Sequence, residues 1–147
     1  MSKLSKKLLG FVLVVLLSSC VNSFLENAPF IISKPICVLE GSYFEYTYAG
    51  IQFDFLNKSN KSISSITVSF LLYDAKTQTN PFMGSNVFEI TKLTFISPDE
   101  NKEIILSLDK FIYIAPSEPY LIDHFYIKKI EYTDGSTWED KHGVFSI

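Results

Sequence analysis

Arginine is absent from this chain of 147 residues: all 13 basic side chains are lysines, set against 16 Asp and Glu. Arginine is the favoured reader of phosphate and of guanine edges, and nucleic-acid binding depends on basic neutralisation of the backbone. An acidic, arginine-free chain therefore argues against a nucleic-acid partner. Cysteine is nearly absent too, with only Cys20 and Cys37, and there are only two histidines, His124 and His142. Zinc-finger pairs, CxxC redox motifs and HExxH metalloprotease helices are all missing, as are the EF-hand loop and the GxSxG and SxxK motifs of serine nucleophiles. No catalytic set, no metal site and no cofactor is expected. Nor does any apolar run reach the ~20 residues a membrane-spanning helix needs.

The one continuous apolar run, LLGFVLVVLL at residues 8–17, follows Lys3, Lys6 and Lys7. As a helix it would reach roughly 15 Å, half of a ~30 Å hydrocarbon core. A basic start and a short apolar core describe a secretory signal peptide. Leu17-Ser18-Ser19-Cys20 closes it, and this stretch resembles the lipobox of bacterial lipoproteins. The resemblance implies cleavage between Ser19 and Cys20, a diacylglyceryl group on the Cys20 thiol and further acylation of the new N-terminus. Two or more acyl chains hold stably where one holds reversibly. The expected localisation is extracytoplasmic, lipid-anchored at a cell or outer membrane. Cys37, in PICVLE, then has no partner for an intrachain disulfide and reads as a small buried hydrophobe.

The expected organisation is a signal peptide at 1–19, a membrane tether at 20–35 and one folded domain at 36–147, with no acidic residue before Glu26. The cleaved chain would carry ten lysines against 16 acidic residues, about −6, which disfavours adsorption to anionic lipid and leaves the acyl groups to hold it. Alternation dominates the domain. GIQFDF sets Ile51, Phe53 and Phe55 against Gln52 and Asp54; ITVSFLLY sets Ile66, Val68, Phe70 and Leu72 against Thr67, Ser69, Leu71 and Tyr73. Such period-two runs are half-buried strands. KEIILSLD repeats the pattern with Ile104, Leu106 and Leu108. NKSNKS, NPFMGS and SPDEN are turn clusters, and Asp134-Gly135 predicts a type I′ hairpin. The whole reads as all-β, an antiparallel immunoglobulin-like β-sandwich of about seven strands preceded by a signal-peptide helix; a small closed barrel is the alternative.

Phe70-Leu71-Leu72-Tyr73-Asp74 resembles the FxLYD motif of small extracytoplasmic β-rich domains, often found on lipoproteins. The similarity spans roughly residues 45–133 and takes in the strand ending at Asn57 and the turn Pro98-Asp99-Glu100. It implies an immunoglobulin-like fold and carries no catalytic or ligand residues. This chain lacks the glycine that usually follows the motif's aspartate; Ala75-Lys76-Thr77 runs on into a longer loop.

Candidate contact residues are aromatic. In YFEYTY, Phe44, Tyr46 and Tyr48 share one strand face and would suit an envelope protein or a glycan, since tyrosine offers rigid area with a polar tip. Trp138 beside the Asp-Gly turn is a second candidate, and the 111–120 aromatic-proline stretch a possible contact loop. Glu139, Asp140 and His142 cluster, but such triplets arise readily by chance. Asp123 and His124 are neighbours that a regular strand would point to opposite faces. These readings lead to the expectation of a lipid-anchored binding or interaction module rather than an enzyme, with a structural accessory of the envelope as the alternative.

Overall fold

In a computed structural model, the residues described are 27–42, 45–112 and 116–147, with the side chains of 41–47 left aside. Ser19, Cys20 and Phe44 lie outside them, as does the expected signal-peptide helix. Eight strands form two antiparallel sheets: β1 (Phe30–Ile32), β2 (Ile36–Ser42), β3 (Glu45–Asn57), β4 (Ile63–Tyr73), β5 (Val87–Ile96), β6 (Asn101–Ser107), β7 (Leu121–Tyr132) and β8 (Thr137–Glu139). The expected β-sandwich is the observed fold, with one strand more than the seven read from the sequence.

Strand β3 is the spine of the first sheet. Its C-terminal end pairs with β1 and its N-terminal end with β2 along one edge; β6 takes the other edge. The second sheet runs β5-β4-β7-β8. Alternation put the right residues inside. Ala49, Ile51, Phe53 and Phe55 of β3 face Ile66, Val68, Phe70 and Leu72 of β4, with Ile104, Leu106 and Leu108 completing the interior. An aromatic ladder crosses between the sheets: Phe53 meets Phe125 edge-on at 4.9 Å, and Phe70 lies 6.0 Å from Phe125 and 5.6 Å from Phe88. Such pairs add ~0.5–1.5 kcal/mol beyond the area they bury.

The N-terminal boundary shifts. Phe30–Ile32, assigned to the tether, is a strand of the first sheet. Phe30 is buried and stacks on Phe55 at 5.5 Å, because its side chain faces inward while only three residues are needed to fill the corner left where β2 stops. The hairpin is also not type I′. Only Gly135 has a positive φ, +82°. Its N–H reaches the Tyr132 carbonyl, and the Tyr132 N–H reaches that of Ser136. This is the three-residue loop ending in a left-handed glycine. Asp134 keeps a negative φ and accepts from the Ser136 N–H and hydroxyl instead.

The two ends of the sandwich differ. At one end the chain enters through Asn27–Pro29, and the Lys58 N–H bonds to the Pro29 carbonyl. The short turns 58–62, 97–100 and 133–136 gather there. The long connections 74–86 and 108–120 leave from the other end, where Tyr73 pairs with Leu121. No helix among the described residues is long and apolar enough to cross a membrane.

Candidate functional site

Because odd-numbered residues of β3 fill the core, Tyr48, Gly50, Gln52, Asp54 and Leu56 line the outer face of the first sheet. Register then builds that face row by row across the neighbouring strands. Ile31 lies opposite Leu56, and Leu56 opposite Asn101; Asp54 is opposite Glu103; Ile36 and Ile105 flank Gln52; Val38 and Ser107 flank Gly50; Glu40 is opposite Tyr48. Ile31, Ile36 and Ile105 are exposed, by 54%, 55% and 41%.

Tyr48 is half-buried in this face, and its phenol lies down along its own strand. A Cβ at Gly50 would fall 2.0 Å from the Tyr48 hydroxyl oxygen, so the missing side chain of Gly50 is the seat of the ring. That oxygen is buried and has no hydrogen-bond partner among the described residues. Burial, with the nearby carboxylates of Asp109 and Glu40, pushes the Tyr48 phenol above its ordinary pKa. Asp109 is itself tied down: it accepts from the Ala49 N–H and the Ser107 hydroxyl. Tyr46 is described through its backbone alone, opposite Gly41.

The other aromatic candidates are elsewhere. Trp138 is on β8, half-buried, with Phe30 edge-on at 5.3 Å and Phe145 at 5.8 Å. It covers the join between the hairpin and β1, and does not meet Tyr48. Phe82, Phe111 and Tyr120 of the long connections pack with Phe88 of β5, with centroids 5.0–5.6 Å apart along the chain of contacts. Met83 stands out of that cluster, fully exposed. Cys37 faces inward and half-buried opposite Ile51; burial pushes its thiol up, offset in part by a backbone hydrogen bond from Tyr120.

The acidic and histidine candidates do not form a reactive set. Asp140 is buried, and its carboxylate accepts the N–H groups of His142 and Phe145, at 3.2 and 3.0 Å. Burial pushes its pKa up, and the donors of Phe145, Val144, His142 and Gly143 together outweigh that and hold it low. It is the clasp of the C-terminal turn, whereas Glu139 pairs with Lys141 at 3.6 Å. Asp123 and His124 depart from the regular alternation. His124 adopts φ +47° at a bulge in β7, and its N–H bonds to the Asp123 carboxylate. The imidazole packs beside Tyr126, 5.2 Å away. Among the described residues no three His, Cys, Asp or Glu side chains are placed to hold a metal.

The outer face of the second sheet is built differently. Its centre is Ser65, Thr67 and Ser69, with Thr67 bonded to Thr91 at 2.9 Å. Around these, lysines neutralise glutamates: Lys128 with Glu89, Lys129 with Glu131 and Lys141 with Glu139. A bulge between Thr67 and Val68 lets adjacent Lys128 and Lys129 share this face. The groove between the free edges of β5 and β6, about 360 Å³, is floored by Ile90, Leu106 and Phe111.

No protein-family model matches the chain, and no curated protein matches it. Among solved structures it is similar to a hypothetical protein from Peptoclostridium difficile 630, with a TM-score of 0.56 at 14% identity, over 78% of this chain and 88% of that one. The likeness is one of fold.

Proposed function

We propose that the protein is a lipid-anchored, extracytoplasmic interaction module of a bacterial envelope and not an enzyme. The observation that carries the reading is the run from Lys3 to Cys20, in which basic residues, a ten-residue apolar core, two serines and a cysteine follow in order. The arrangement of the domain supports it. The chain enters at the end that carries the short turns, and the two long connections extend from the opposite end. A tether at Cys20 then leaves the outer sheet face and the long loops open to partners, and function concentrates on such loops and faces.

Detergent phase partitioning with intact-mass measurement tests the anchor, on wild type and Cys20→Ala expressed in bacteria. Wild type is expected in the detergent phase at the mass of residues 20–147 plus acyl chains, and Cys20→Ala in the aqueous phase. Both variants in the aqueous phase without acyl mass would overturn the reading and open a Cys20–Cys37 disulfide. A second reading, a structural accessory with no ligand of its own, draws on Trp138 and the loop aromatics packing internally. It predicts that substitutions on the outer sheet face leave every interaction of the protein unchanged.

A further inference from the structure

The outer face of the first sheet couples exposed aliphatic rows to unneutralised carboxylates. Asp54 and Glu103 are directly opposite each other on β3 and β6, an arrangement of like charges that destabilises a sheet. Glu103 accepts from the Gln52 amide at 2.7 Å, a neutral donor. Glu40 stands two rows beyond Gln52. Among the described residues no lysine forms an ion pair with any of the three. The second sheet provides the comparison, for there all three outer-face glutamates have lysine partners. The carboxylate row is also bracketed by apolar rows, Ile31 with Leu56 on one side and Ile36 with Ile105 on the other, each about 7 Å away.

We infer that this face docks a segment of a partner protein in which lysine or arginine is set among aliphatic residues, the cation lying over Asp54 and Glu103. A basic side chain there replaces repulsion with attraction, and its aliphatic neighbours cover the exposed isoleucines. A wholly apolar partner would bury the carboxylates without a counter-charge, and a wholly polar one would leave the isoleucines in water. The inference deepens the interaction-module reading and rests on it. Its test does not depend on acylation, so the two can fail separately.

The test is a titration of the ¹⁵N-labelled full chain, in uncharged detergent, with a synthetic peptide of alternating valine and lysine. Three forms are compared: wild type, Asp54→Asn/Glu103→Gln, and the control Glu89→Gln/Glu139→Gln on the second sheet. The expected result is saturable shifts centred on the amides of Gln52–Asp54 and Glu103–Ile105. Affinity should fall at least ten-fold in the first double variant, by less than two-fold in the control, and as salt is raised. Ile105→Ser gives an independent apolar check and should weaken binding several-fold. Equal losses in both double variants would reduce the effect to general attraction by an acidic chain and overturn the proposal. So would calcium alone moving the same amides at millimolar concentration, or dimers of the free protein that bury this face.

Discussion

Asn57 has no exposed surface, and its carboxamide ties together three pieces of chain. Nδ2 lies 2.9–3.2 Å from the carbonyls of Lys61, Ile96 and Ser97, and Oδ1 accepts the N–H and hydroxyl of Ser59. Its own backbone bonds to Glu100 and Asp99. Asn57→Ala would leave several buried groups unsatisfied, and is expected to cost roughly 2–4 kcal/mol, read as a lower urea midpoint at unchanged slope. Tyr48 is the opposite case. Its buried hydroxyl has no partner among the described residues, so Tyr48→Phe should be neutral or stabilising by up to about 1 kcal/mol in the same measurement. Asp140 adds a pH dependence. Its folded pKa lies below the ordinary 3.8, so the stability from its ionised form is present above about pH 4 and is lost as pH falls through the folded value. The stability gap between wild type and Asp140→Asn should therefore narrow from pH 7 toward pH 3, as followed by denaturation at stepped pH. Little of this was legible beforehand. Asn57 read as the polar end of a strand, because its partners at Ile96 and Ser97 are some forty residues away in sequence, and Asp140 read as one member of a chance cluster with Glu139 and His142, because spacing does not reveal which backbone N–H groups a carboxylate has captured.

Elements were legible where alternation ran unbroken. Residues of β3 and β4 fall inside or outside as period two requires, and Asp74 ends β4 by accepting the N–H groups of Lys76 and Thr77, as a turn-forming aspartate should. Strand β7 was harder. Bulges at Lys128 and His124 reset the alternation twice, and a bulge is set by pairing with β4 rather than by local sequence. The loop after Asp74 closes through Gln78 in a left-handed conformation, φ +54°, with its N–H on the Asp74 carbonyl. A residue with a Cβ is costly there, so Gln78→Gly is expected to stabilise by up to about 1 kcal/mol, measured as a raised melting temperature. The free edge of β5 carries another device. Lys92 stands opposite inward-facing Ile66, placing a charge at the rim of the core, and Leu93 beside it is 79% exposed. Charge on an edge strand discourages pairing with other chains. Lys92→Val should therefore raise concentration-dependent light scattering while leaving the monomer folded.

At the scale of the whole molecule, Trp138 joins the first strand and the last turn of the described fold. By packing on Phe30 and Phe145 it fastens β1 to the C-terminal hairpin across the seam between the sheets. Trp138→Ala is expected to cost about 3 kcal/mol and to speed amide hydrogen exchange in β1 more than in β4. The sequence signalled the sandwich through its strand periods, yet it left the seam unread, since a three-residue strand such as β1 has too few positions to show a period. The same limit hid the outer sheet face, whose rows exist only once β2, β3 and β6 are in register. Those rows have an electrical consequence. Among the described residues Asp54, Glu103 and Glu40 stand without lysine partners on one broad side of a body two sheets thick, about 10 Å between layers, while on the other side Glu89, Glu131 and Glu139 are paired with lysines and only Asp123 is not. The first sheet's face is thus the more negative of the two. Near any anionic surface, within the ~8 Å over which physiological salt leaves such fields unscreened, that asymmetry exerts a torque that turns the Asp54–Glu103 side outward and gives the domain a preferred heading.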